Sequence, residues 1–250
     1  MEKITAIIPT FNEEINIEAA IQSVSFADQI IIIDSFSTDR TMEIARKQPV
    51  EILQRKFDDF SSQKNYAIDY AKYDWVFVLD ADERVTNPLK EEILRILEKP
   101  TRYVGFHIYR NFYFLDKKVN YGGWQSDKVI RLFRKKYCRY NGALVHERIK
   151  YKGEIGYLKN EIDHFSYRGF NHYVSKLNQY AELQAKSLLQ NNKKVTIAHL
   201  IVKPIFRFFV HYIVRWGFMD GYKGYILATI HGNSVRKRYI KYWLLKNNLK

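Results

Sequence analysis

The chain has 250 residues, 46% of them hydrophobic, enough for one large domain or a domain with a sizeable appendage, and this excludes a disordered chain as the expectation. A single cysteine, Cys138, excludes an internal disulfide framework and a cysteine-rich zinc site. The net charge is +14, but twelve Lys and Arg against one acid, Asp220, fall between Lys193 and Lys250, so the basicity is local and points to a localised acidic partner.

Met1-Glu2-Lys3 leads straight into a short strand-like run, so no signal peptide is expected and a reducing, cytoplasmic setting fits the cysteine usage. Ile4 to Ile8, stopped by Pro9, reads as a buried strand. Asn12 is placed to cap a helix carrying Ile17, Ala20, Ile21 and Val24 at helical spacing. Ile30 to Ile33 form a second strand ending at Asp34-Ser35, and a helix from Thr38 or Asp39 turns Met42 and Ala45 inward. Val50 to Leu53 make a third strand and Gln63 to Ala71 a third helix. A fourth strand, Trp75 to Leu79, runs directly into Asp80-Ala81-Asp82-Glu83. Asn87-Pro88 then supplies a cap and a first-turn proline for a helix through Leu97.

This alternation predicts an α/β fold, a parallel sheet with helices on both faces, whose ligands bind at the carboxyl ends of the strands. Pro9-Thr10, Asp34-Ser35 and Asp80-Ala81-Asp82 all fall there. Two carboxylates one residue apart at the end of a buried strand suit Mg²⁺ or Mn²⁺, shared with substrate phosphates.

From Tyr103 to His164 the chain is irregular and strand-rich, punctuated by Gly122-Gly123, Gly142, Gly153 and Gly156. Beyond it, Tyr173, Leu177, Tyr180, Ala181, Ala185 and Leu188 mark one helix face, and a further helix is expected from Ile197 to Trp216. On that helix Lys203, Arg207, His211 and Arg215 recur every four residues among Ile201, Ile205, Phe208, Phe209, Tyr212 and Trp216. A basic, aromatic, amphipathic helix suits an anionic membrane interface, and Arg236-Lys237-Arg238 adds to it. Its uncharged stretches are shorter than the roughly 18–20 residues of a span, so the segment is expected to lie on a membrane and not cross it. The same charges also suit a phosphorylated acceptor.

Three motifs in order, Ile7-Ile8-Pro9-Thr10-Phe11-Asn12-Glu13, Ile33-Asp34-Ser35-Phe36-Ser37-Thr38-Asp39-Arg40-Thr41 and Leu79-Asp80-Ala81-Asp82-Glu83, resemble the signatures of glycosyltransferase family 2. Trp124-Gln125-Ser126-Asp127, Arg131-Leu132-Phe133, Val145-His146-Glu147, His164-Phe165-Ser166-Tyr167 and Gly217-Phe218-Met219-Asp220-Gly221 look like a narrower branch containing lipopolysaccharide core glycosyltransferases, including β-glucosyltransferases. The resemblance implies a GT-A-like catalytic domain over residues 1–165, with a nucleotide-sugar half to about 100 and an acceptor half after it. A helical, basic and aromatic region follows over 166–250. It implies that Pro9, Thr10, Glu13, Asp34, Lys64, Asp80 and Ala81 line the nucleotide sugar. Asp82, with Asp80 and His164, would hold Mg²⁺ or Mn²⁺. Glu147 would be the base of an inverting transfer, with Asp127 in reserve and His146 a further candidate near metal or phosphate. Where many members carry two consecutive acids, this chain has Asp34-Ser35.

The expected partners are a nucleotide-diphosphate sugar, UDP-linked as the first choice, and an anionic saccharide or glycolipid such as lipopolysaccharide core. Work at the inner face of the cytoplasmic membrane follows from these. A nucleotidyltransferase would show a glycine-rich phosphate loop after the first strand, whereas Pro9-Thr10-Phe11-Asn12-Glu13-Glu14 is acidic and glycine-free. A nucleic-acid-binding protein would use the basic tail but leave Asp34, Asp80 and Asp82 unexplained, so no nucleic acid partner is expected.

Overall fold

The computed structural model describes residues 1–114, 117–142, 148–165 and 169–249. The first half runs β1 (Ile4–Thr10), α1 (Ile17–Ser23), β2 (Gln29–Asp34), α2 (Thr41–Ala45), β3 (Glu51–Gln54), α3 (Phe60–Tyr70), β4 (Trp75–Val78), β5 (Glu83–Val85) and α4 (Asn87–Glu98). The second runs β6 (Tyr103–Phe114), β7 (Lys117–Val119), β8 (Lys128–Arg134), β9 (Cys138–Tyr140), β10 (Ile149–Tyr151), β11 (Glu154–Tyr157), β12 (Ile162–His164), α5 (Phe170–Gln190), α6 (Ile197–Phe209) and α7 (Tyr222–Lys246). They form two compact units, Met1–Arg110 with Asp127–His164, and Asn111–Ser126 with Phe165–Lys250.

In the first unit β3, β2, β1 and β4 lie side by side and parallel, and β8 and β6 extend the sheet antiparallel. The pleat sends Ala6, Ile8, Ile32 and Phe77 to one face and Ile7, Ile31, Ile33, Val76 and Val78 to the other, where each set builds its own core. On the first face α4 buries Leu89, Ile93 and Leu97 at helical spacing, each worth about 1.5–3 kcal/mol of apolar burial. On the second, α3 contributes Ala67 and Ile68 beside Cys138, whose thiol burial pushes up to about 12, so it packs and does not react.

Register decides what the sheet presents. Thr10 pairs with Asp34, Asp34 with Gln54 and Ile7 with Val78, so the parallel strands finish along one edge. Local details differ from the expected caps. Asn12 does not cap α1; it sits at φ 54° and its side chain accepts from Thr38 N at 2.8 Å, tying two loops together. The fourth helix is capped by Thr86, whose hydroxyl accepts from Leu89 N, and not by Asn87. The third helix begins a turn early because Asp59 caps it through Ser62 N at 2.8 Å.

In the second unit α7 packs against both α5 and α6. The helix of α6 continues through a π turn, Val210–Val214, and stops where Trp216 adopts φ 59°. A Cβ at Gly224 would lie 1.8 Å from the Gly217 carbonyl oxygen, so backbone meets backbone here. Asp220 accepts from the amides of Asn120 and Tyr121, at 3.1 and 2.8 Å, which gives the Gly217–Gly221 motif a structural duty. The expected shortness of this segment does not hold. Because the π turn prolongs α6, Ile197–Val214 reaches 18 residues with mean hydropathy 1.5, long and apolar enough by length and composition to cross a membrane. Lys203 and Arg207 interrupt its uncharged run without bringing it below that length.

Candidate active site

The loops that leave β1 and β2 are braced against each other. Asp34 is fully buried, and its carboxylate accepts from Ser37 N, from Ser37 Oγ at 2.6 Å and from Gln54 Nε2 at 3.0 Å. Ser37 Oγ in turn accepts from Asn12 N at 2.9 Å, and Thr41 Oγ1 accepts from Glu13 N at 2.8 Å. Thr10 is buried and donates to Ile8 O, while Phe11 and Phe36 remain exposed beside it. Pro9, Thr10, Glu13 and Asp34 are thus brought to one edge. Asp34 spends its oxygens on Ser37 and Gln54, so it shapes the loop after β2 from within.

Beyond β4 the chemistry becomes ionic. The Asp80 carboxylate lies 3.2 Å from Lys64 Nζ and hydrogen-bonds Arg131, and both cations are almost wholly buried. Arg131 also donates to Glu83 at 2.6 Å, and Arg110 reaches Glu83 at 3.3 Å and Asp127 at 3.0 Å. Glu83 closes the turn by accepting from Asp80 N at 3.1 Å. Burial alone would raise the Asp80 carboxyl, but the charges of Arg131 and Lys64 outweigh it and hold the group far below the usual carboxylate range. Burial likewise opposes the Arg131 charge, and Asp80 and Glu83 overcome it. The Nε of Arg131 is buried without a hydrogen-bond partner among the described residues. Asp80 keeps 32% of its side chain exposed, whereas the two cations that hold it are only 4% exposed.

Asp82 is held differently. Pairing of β5 with β12 sets His164 opposite Glu83, and His164 Nε2 comes within 3.5 Å of Asp82 Oδ2. Ala81 lends its carbonyl to Arg84, which also binds Asn16 O at 2.9 Å. Burial lowers the Arg84 guanidinium, and the charges of Asp82 and Glu13 act against that. Among the described residues no three His, Cys, Asp or Glu side chains gather closely enough to enclose a metal ion alone. The donor pair Asp82 and His164 fits a divalent ion that takes its remaining ligands from water and a diphosphate, because Mg²⁺ rarely accepts an all-protein cage.

Of the expected site residues, Lys64, Asp80 and Asp127 thus sit in one charge network and Asp82 with His164 beside it; Glu147 and His146 lie outside the described residues. Sequence reasoning gave no role to Arg131, Glu83 or Arg110. The available signal was Lys128-Val129-Ile130-Arg131-Leu132-Phe133, a charged residue flanked by apolar ones in a central strand, where only a buried acid makes it tolerable.

Comparison with known proteins places the chain in a family. Residues 5–159 match the family model described as glycosyl transferase family 2. An uncharacterized glycosyltransferase of Rickettsia felis is 30% identical over 92% of this chain and 86% of its own length. The lipopolysaccharide core biosynthesis glycosyltransferase LpsC of Rhizobium meliloti is 26% identical over 94% of this chain and 93% of its own. Among solved structures, glucosyl-3-phosphoglycerate synthase of Mycobacterium tuberculosis is similar over 44% of each chain, with 21% identity and a TM-score of 0.39.

Proposed function

The chain belongs to glycosyl transferase family 2, and on that premise we propose that it transfers a hexose, with inversion, from a UDP-sugar to an anionic glycolipid or saccharide of the cell envelope. The observation that carries this is the shared edge of β1, β2 and β4, where Asp80, gripped by Lys64 and Arg131, stands two residues before Asp82. The nucleoside would lie against Pro9, Thr10, Glu13 and the loop shaped by Asp34. Asp82 and His164 would hold Mg²⁺ or Mn²⁺, which when bound neutralises charge developing on the leaving diphosphate. Lys64 and Arg131 keep Asp80 ionised and immobile, so no reorganisation is needed when a donor arrives. Glu147 takes the proton of the acceptor hydroxyl as its oxygen attacks the anomeric carbon. Asp127, oriented by Arg110, is the second carboxylate offered to the acceptor.

Lipopolysaccharide core is the proposed acceptor, supported by the kinship with LpsC and by the cationic α6 and α7. We place the enzyme at the inner face of the cytoplasmic membrane, with α6 lying in the interface. Crossing would put Lys203 and Arg207 near the centre of a span, at about 2.5–3.5 kcal/mol each. Calorimetric titration of UDP and of GDP, with and without Mn²⁺, tests the donor site. Metal-dependent UDP binding that vanishes in Asp82→Ala is expected. Binding indifferent to Mn²⁺ and to that substitution would remove the metal assignment, and a preference for GDP would remove the UDP one.

A further inference from the structure

Within the second unit, α6, the π turn after it and α7 border a half-open hollow of about 490 Å³. Its wall is apolar, made largely by Val202, Phe206, Val235 and Tyr239, and the volume suits a single small ligand. Three cations, Lys203, Arg207 and Arg238, stand on its lining. Among the described residues no carboxylate pairs with any of them. The one acid between Lys193 and Lys250, Asp220, is committed to the amides of Asn120 and Tyr121. The Nε of Arg238 is buried without a hydrogen-bond partner among the described residues. Partial burial, with Arg215 and Arg238 as like-charged neighbours, holds the Arg207 guanidinium below its usual range. Like charges gathered on one apolar hollow repel one another, and an anion placed among them would relieve that repulsion.

The surroundings of the hollow narrow the ligand. Phe206 and Val202 are 65% and 60% exposed, and Ile201 and Ile205 beside them on α6 are also exposed, so the hollow adjoins an outward apolar face. A free phosphate would satisfy the cations and leave the apolar wall wet; a plain hydrocarbon would do the reverse. We propose that the hollow binds one anionic phospholipid, its phosphate held by Arg207 and Arg238 and an acyl chain laid against Phe206 and Val235. This rests on the membrane contact proposed above and adds to it a discrete lipid site, where that reading requires only diffuse attraction.

The test is co-sedimentation of the full chain with vesicles of phosphatidylcholine, with and without phosphatidylglycerol. Two double variants are compared: Arg207→Gln with Arg238→Gln, and Lys194→Gln with Lys246→Gln, which removes as much charge outside the hollow. Diffuse attraction gives both doubles the same loss, up to about thirtyfold for two charges at about 1 kcal/mol each. A discrete site gives the first double at least a further tenfold loss. Phe206→Ser, at a side chain already in solvent, should also weaken binding without any change of charge. Equal losses in the doubles would overturn the lipid site while leaving the membrane contact standing, and an unaltered Phe206→Ser would overturn the apolar part of both. No preference for phosphatidylglycerol vesicles would overturn both. Competition separates the two sources of phosphate: short-chain phosphatidylglycerol should displace the protein from vesicles at far lower concentration than inorganic phosphate, and equal potency would make this a free-anion site.

Discussion

Acid should loosen the second unit through one histidine. His231 packs against Trp124 and His211, with ring centroids 4.5 and 5.4 Å away, and its Nε2 hydrogen-bonds the Tyr173 hydroxyl. Burial, aided by the charges of His211 and Arg207, pushes its pKa down to about 3. In the unfolded chain an imidazole titrates near about 6.5. Between these values the unfolded state holds more protons, so stability is complete above pH ~6.5 and drains away as the pH falls towards ~3. At pH 5 the difference amounts to about 2 kcal/mol, a large part of a typical folding free energy of ~5–15 kcal/mol. His211, lowered chiefly by burial, adds to the loss with the same sign. Urea unfolding followed by tryptophan fluorescence at pH 7 and pH 5 measures this. His231→Asn keeps a partner for Tyr173 and removes the titration, so the variant should lose about 2 kcal/mol less than the native chain between the two pH values. Equal losses would refute the assignment of the neutral, buried form to His231.

Three further outcomes follow from the site and the helices. Arg131→Met leaves Asp80 and Glu83 without their shared cation and should cost about 3 kcal/mol in urea unfolding, part of which Glu83→Gln in the same chain restores; no recovery in the double variant would count against the network. Glu147→Gln should lower kcat by about a hundredfold or more while calorimetry shows donor binding unchanged, and parallel losses in both would point to a structural role. Gly224→Ala should lower the melting temperature through at least ~1–3 kcal/mol of overpacking, because the added carbon meets the Gly217 carbonyl; an unchanged melting temperature would mean the helix ends can part without cost.

Much of the first unit was legible because continuous apolar strands and helical spacing are local signals. Ile7, Ile31 and Phe77 declare a two-sided sheet before any contact is known, and the carboxyl-edge rule then locates Asp34 and Asp80. What stayed hidden was non-local. Arg131 meets Asp80 only because β8 lies antiparallel beside β4, and no window around either residue encodes that pairing. Asn12 misled for the reverse reason: its type suits a helix cap, but a partner 26 residues away, Thr38, offered its amide instead. The acceptor half was read from motif resemblance more than from pattern. Trp124 there, and Asp220 in the helical region beyond it, both noticed as motif residues, turn out to pack and to hold a turn within the second unit.

The pairing of β5 with β12 makes the Asp82–His164 couple a matter of strand register. His164 stands opposite Glu83, and Asp163 opposite Arg84. Side chains alternate between faces along a strand, so a slip of β12 by a single residue would carry the imidazole to the far side of the ribbon and bring Asp163 round in its place. The chemistry of the proposed ion-binding position is therefore sensitive to insertions in a way that substitutions near it would not reveal. One residue added between Leu158 and Ile162, in the short link from β11 to β12, would shift that register directly. Homologous chains are expected to keep the count of residues between β11 and β12 fixed.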